Sequence, residues 1–152
     1  MATFKYNGVD ALDLTFEKMA NFSGEDLLRI IRPGAELLRE RLIEKVRTIF
    51  TQRSGSLANS FKLKERVWAD GAGISVLPTG KHPKSSTGKR RGKRRSNGSY
   101  QSTNAEIAFI LEHGSPRIGA THFMENTAEE SEQEVYNAMD AELTQILRER
   151  GL

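Results

Sequence analysis

Two hydrophobic periods divide this chain. Leu27, Ile31, Leu38, Leu42, Val46 and Ile49 recur at helical spacing as far as Phe50, while Glu36, Arg39, Glu40, Glu44, Lys45 and Arg47 take much of the opposite side. That predicts a helix over residues 33–50. Ser23, followed three residues later by Asp26, is a start signal for an element upstream of it. Pro33-Gly34 interrupts the stripe, so the run is either one kinked helix or two helices with the second opening at Pro33, and the second reading is expected. After Arg53-Ser54-Gly55-Ser56 the period drops to two. Phe61, Leu63, Glu65 and Val67 alternate with Lys62, Lys64, Arg66 and Trp68, the signature of a strand. Asp70-Gly71-Ala72-Gly73 is expected as the turn and Ile74-Ser75-Val76-Leu77 as the returning strand, closed by Pro78. The helical period returns with Ala128, Ser131, Val135, Ala138, Met139, Leu143, Ile146 and Leu147. The basic end Arg148-Glu149-Arg150 and Gly151 then stop a long amphipathic C-terminal helix.

Weaker signals lie between and before these elements. Phe4-Lys5-Tyr6 predicts a short strand ended by Asn7-Gly8. Asp10 then caps a short helix carrying Leu12, Phe16 and Met19. Ala105 to Leu111 is too short and too apolar for its period to separate strand from helix. The pattern as a whole predicts an α+β fold: a long N-terminal helix, a small antiparallel hairpin sheet, a further strand or short helix, and a long C-terminal helix packed on the sheet.

A length of 152 residues suits a single domain spanning 1–152, large enough for a core without disulfides. There is no cysteine, which excludes thiolate metal sites. No secretory leader and no membrane-crossing run is read in the sequence, so a chain made and kept in the cytosol of its producer is expected.

Charge changes the picture most. The net charge is +3, but Lys81, Lys84, Lys89, Arg90, Arg91, Lys93, Arg94 and Arg95 crowd into residues 81–95 with no acid among them, and without those eight the remainder carries −5. They lie in a stretch, 79–103, with almost nothing to bury, expected as a long basic loop. Fully extended, such a loop reaches at most ~60 Å. Two readings of it stay open: an arm that neutralises phosphates, and a loop that meets an acidic protein surface.

Signals for catalysis are sparse. Glu112, His113, His122 and Glu125 form the one metal-capable group, but no pair of histidines has the spacing of a helical zinc motif, and the histidines read as surface or turn residues. Gly80 and Gly88 have seven residues between them, not four, and Arg90 follows Lys89, which is not a phosphate-loop pattern. No serine sits in a nucleophile setting. No enzyme activity, no cofactor and no metal are expected.

Three segments in order carry a resemblance. Thr51-Gln52-Arg53-Ser54-Gly55-Ser56-Leu57-Ala58-Asn59-Ser60-Phe61 resembles a Thr/Ser-Gly-x-Leu-x-x-Ser step from a first long helix into a hairpin. Ala108-Phe109-Ile110-Leu111-Glu112-His113-Gly114-Ser115 resembles a Tyr-Ala-x-x-Val-Glu-x-Gly-Thr segment. Ala120 to Ala128 is similar to a proline-and-phenylalanine entry into a last helix, with His122 in place of the first proline and Thr127 in place of the second. These steps are those of the tail-component, or tail-completion, family of tailed bacteriophages, minor tail proteins of the head–tail neck. Gly55, Leu57, Ser60, Glu112, Gly114 and Phe123 carry the match. Gly55 and Gly114 suit positive φ or close backbone approach, Phe123 suits a core anchor, and Glu112 suits capping backbone amides or pairing across subunits.

The resemblance implies a structural virion protein of a phage or prophage, assembled in the bacterial host cytoplasm. It would act as a ring of copies of itself between the head-connector proteins and the tail tube or tail terminator, with the basic loop ordered on docking or touching packaged DNA, and no membrane involved. A non-specific nucleic-acid-binding module using residues 81–95 is the alternative. A metal-dependent hydrolase using His113 and His122 is a third reading.

Overall fold

The structure is a computed structural model that describes residues 22–50, 55–83 and 102–151. The expected strand at Phe4–Tyr6, the short helix with Leu12, Phe16 and Met19, and every basic residue of the 81–95 run except Lys81 lie outside the described residues.

Helix α1 runs Gly24–Ile49 without a break. Its start is the capping box expected from sequence: the Ser23 hydroxyl accepts from the Asp26 amide at 3.2 Å, and the Asp26 carboxylate accepts from the Ser23 amide at 2.9 Å. Glu25 and Asp26 also sit at the positive end of the helix dipole. The second helix expected at Pro33 does not exist, because Pro33 lies inside α1. A helix-interior proline removes one backbone donor and costs about 3 kcal/mol, so tertiary packing must outweigh it. The buried stripe supplies that packing: Leu28 and Ala35 lie on either side of the proline, and Leu42 and Val46 continue the same face. Gly34 adds a close approach. A Cβ there would lie 2.8 Å from Met139 Cγ, so the glycine lets the last helix seat directly on the α1 backbone.

A single 3-10 turn, Ala58–Ser60, leads into β1, Phe61–Trp68, which pairs antiparallel with β2, Gly71–Pro78. The turn is tighter than the sequence suggested. Trp68 pairs with Gly71, so the loop is Ala69-Asp70, and Gly71-Ala72-Gly73 belong to β2. The small residues are used in the strand itself: a Cβ on Gly73 would meet the Trp68 ring at 3.0 Å, so the indole lies across the space that the glycine leaves.

The segment left open by its period is a helix, α2, Asn104–His113. Thr103 and Glu106 cap it reciprocally, with Glu106 amide to Thr103 hydroxyl at 3.2 Å and Thr103 amide to Glu106 carboxylate at 2.9 Å. Helix α3 spans Phe123–Glu149 and runs antiparallel beside α1. The fold is α+β as expected: a long first helix, a two-stranded sheet, and a long last helix packed on that layer. Most of the α3 contact goes to α1. Met124 and Met139 of α3 and Ile74 and Val76 of β2 face one another over α1 and share its apolar face. The core gathers Leu42, Val46, Leu57, Ala58, Phe61, Ala108 and Phe123, with Phe50 edge-on to Phe123 at 5.4 Å.

A seam of ion pairs locks α1 to α3. Arg29 meets Glu142 at 2.7 Å and Glu149 at 2.8 Å, Arg41 meets Glu134 at 2.8 Å, and Lys45 meets Glu130 at 2.7 Å. At the end of the pair Arg150 reaches Asp26 at 2.6 Å and lies over the Phe22 ring.

Candidate functional site

The six residues that carry the resemblance fall at the two junctions around the core. At the first, Gly55 has φ +64, and its carbonyl accepts from the Asn59 amide at 3.0 Å. Leu57 is buried, and the buried Ser60 hydroxyl donates to the Leu57 carbonyl at 2.7 Å, fixing the entry into β1. The Ser60 carbonyl then accepts from both the amide and the hydroxyl of Thr79, which ties the start of β1 to the end of β2.

At the second junction α2 turns into α3. Gly114 has φ +82, and a Cβ there would lie 2.8 Å from the Ala120 amide nitrogen, so both conformation and space demand glycine. The chain doubles back through Ser115–Ile118, and the Thr121 amide and hydroxyl both donate to the Leu111 carbonyl. His122 stands at the N-cap of α3 in the left-handed region, φ +47, with no side-chain cap bond of its own. A proline is fixed near φ −65° and cannot adopt this conformation, so the departure at His122 is built into the turn.

The cap comes from elsewhere. The buried Glu112 carboxylate accepts from the Met124 amide at 2.8 Å and the Glu125 amide at 3.2 Å. A carboxylate from one helix thus satisfies the first free amides of the next and meets the positive end of its dipole. Phe123, fully buried beside it, anchors the same helix start in the core. The Thr127 and Ser131 hydroxyls donate back to carbonyls one turn earlier, at 2.6 and 2.7 Å, which accounts for these two buried polar side chains.

Glu112, His122 and Glu125 bring ligand-type atoms within 4.8 Å of one another, the one such group among the described residues. Each Glu112 oxygen already accepts a backbone amide, and the helix dipole points its positive end at the group, so the arrangement is that of a helix cap. His113, paired with His122 in the hydrolase reading, stands apart and lies against Phe109 with ring centroids 4.5 Å apart.

Of the eight basic residues singled out, the structure describes only Lys81. It is exposed, and its backbone bridges to Thr103. The two ends of the 79–103 stretch are therefore paired: the His82 amide donates to Ser102 and the Asn104 amide to Gly80. A buried polar hub that sequence reading missed holds this neck. The Asn104 amide group donates to the Thr79 carbonyl at 2.8 Å, and its side-chain oxygen takes the Ser56 hydroxyl and faces His82 Nδ1, both at 3.1 Å. Asn104 is the first residue of α2, and a polar residue just inside an N-cap was the available signal.

The alternation in the sequence separated the two sides of β1 but assigned no role to the outer one. Strand alternation places Phe61, Leu63, Glu65 and Val67 toward α1, where Glu65 pairs with Arg32 at 2.9 Å and Val67 touches Gly24. Lys62, Lys64, Arg66 and Trp68 therefore share the opposite, exposed face.

Compared with family models, with curated proteins and with solved structures, this chain matches none.

Proposed function

We propose that this chain is a structural virion protein of a tailed phage that acts by assembly at the head–tail neck. The observation that carries the proposal is the concentration of Gly55, Leu57, Ser60, Glu112, Gly114 and Phe123 at the two junctions that join α1, the hairpin, α2 and α3. Those residues hold elements in register around one core, which is the work of a scaffold. The surface also offers material for contact between copies. Phe109, Ile118 and Tyr136 are exposed large side chains, and among the described residues neither edge of the two-stranded sheet is paired to a further strand.

In this reading several copies close into a ring with the head-connector proteins on one side and the tail tube or terminator on the other. The basic stretch after Lys81 supplies charge for a neighbouring protein or for DNA in the channel. The test is electron microscopy of particles made after deletion of the gene. Filled heads beside detached or abnormal tails are expected, and joined, infectious particles would overturn the reading.

The nucleic-acid alternative has a specific observation in its favour. Lys81 and His82, at the start of the basic stretch, pair with Thr103 and Ser102 beside the hairpin. Deleting residues 84–95 removes most of that charge and, on this alternative, most of the DNA affinity.

A further inference from the structure

The outer face of the hairpin carries a row of cations for which the neck reading has no use. Lys62, Lys64 and Arg66 stand at every second residue of β1, about 6.6 to 6.8 Å apart along the strand. All three are exposed. Lys81 follows β2 at the Lys62 end, since Phe61 pairs with Pro78. Among the described residues none of these four joins an ion pair, whereas Arg29, Arg32, Arg41, Lys45 and Arg150 each do.

Among the described residues, the strand positions on the Lys62, Lys64 and Arg66 side of the hairpin carry no acid. The β2 positions on that side are Gly71, Gly73, Ser75 and Leu77, directly across from Trp68, Arg66, Lys64 and Lys62. Glu65 is turned to the other side and is bound to Arg32, and Asp70 sits in the turn. Gly71, Gly73 and Ser75 leave a shallow shelf beside Arg66 and Lys64, bounded by Leu77 across from Lys62. At its far end the Trp68 ring reaches beside Gly73, and the residue is 54% exposed.

We propose that this shelf binds the phosphodiester backbone of a nucleic acid, with Lys62, Lys64, Arg66 and Lys81 on successive phosphates and the Trp68 ring stacked by a base where the strand is single. Charge complementarity carries the assignment: Lys62, Lys64 and Arg66, evenly spaced on one strand, without ion-pair partners and facing strand positions free of acid among the described residues, fit a regularly charged polyanion. The aromatic platform at the end of the row adds the element that single-strand sites combine with such a groove. The proposal stands on this face alone and does not depend on the neck reading.

The experiment uses the full chain and two labelled probes, a single-stranded oligonucleotide and a duplex of the same length, with binding followed by fluorescence anisotropy from about 50 to 200 mM salt. The variant Lys62→Gln/Lys64→Gln/Arg66→Gln is expected to keep the wild-type melting temperature. It should lose affinity by roughly tenfold or more at low salt and flatten the salt dependence by about 3 in slope. Trp68→Leu is expected to weaken the single strand about fivefold to a hundredfold and leave the duplex unchanged. Wild-type affinity and slope in the triple variant overturn the proposal, as does a wild-type chain that binds neither probe. Displacement of the probe by polyglutamate as readily as by unlabelled DNA of matched charge overturns it in favour of an acidic protein partner. Equal losses on both probes for Trp68→Leu remove the indole from the site.

Discussion

The α1–α3 seam and the outer face of the hairpin are built from the same residue types and put to opposite uses. On the seam each cation has a carboxylate: Arg29 has two on α3, Arg41 one on α3 and Glu44 on its own helix, Lys45 one on α3, and Arg150 closes the end on Asp26. The Asp26 carboxyl is held below its ordinary range, first by the Ser23 hydroxyl, then by the Ser23 amide, with Arg150 adding to it. The Glu149 carboxyl is held low chiefly by Arg29. On the hairpin face Lys62, Lys64 and Arg66 join no ion pair among the described residues. Charge that is matched inside the chain specifies how two helices align. Charge left unmatched on a regular strand is available to something outside it.

If that division is right, substitutions should rank by how deeply each residue is committed to the fold. Phe123→Ala stands first. It empties the fully buried anchor of α3, and a loss of about 3–5 kcal/mol in chemical denaturation is expected. Glu112→Ala comes next. It uncovers the Met124 and Glu125 amides at a helix start, and about 1–3 kcal/mol should be lost, with Glu112→Gln recovering part of it through its remaining carbonyl.

Arg29→Gln on the seam should lower the melting temperature far less than Glu112→Ala, because the pairs there are partly exposed and screened by solvent. The seam also has a pH signature. Asp26 and Glu149 are depressed in the folded chain, so their contribution is complete above their unfolded values and is lost as pH falls through the lower folded ones. Thermal melts should therefore drop as pH falls from about 5 toward 3, and Asp26→Asn should make that drop shallower. The smallest effect belongs to the hairpin face: the triple glutamine variant should stay within about 0.5 kcal/mol of wild type. A large destabilisation there would break the comparison, since those cations would then be holding the fold.

Much of this architecture was legible in the residues. The period-3.6 stripes of α1 and α3, the period-2 run of β1 and the Ser23–Asp26 cap are local patterns, and each formed as expected. Pro33 misled because its cost is local, whereas the packing that overrides it comes from Met139, more than a hundred residues away. The hairpin turn was displaced because Gly71 and Gly73 look like turn residues, whereas both pair in β2 and Gly73 makes room for the Trp68 ring. In α2 the apolar run hid the period, although Thr103-x-x-Glu106 was a readable helix start.

At the junctions, glycine and phenylalanine declared themselves by type. The roles of Glu112 and Asn104 depended on partners brought close by the fold, and no spacing rule points to Met124, Thr79 or Ser56. The cations of the hairpin face were visible as alternation. Their lack of ion-pair partners among the described residues was not, because it depends on α1 covering the other side and on Glu65 turning to Arg32.

The most direct test of the assembly reading is a reconstruction of intact particles at the head–tail junction, with the chain located by its own fold. The account predicts a closed ring of copies between the head connector and the tail tube, with α1, α3 and the hairpin recognisable in each subunit. Particles whose neck is complete without this chain would contradict it, and would leave the hairpin face and nucleic acid as the surviving account.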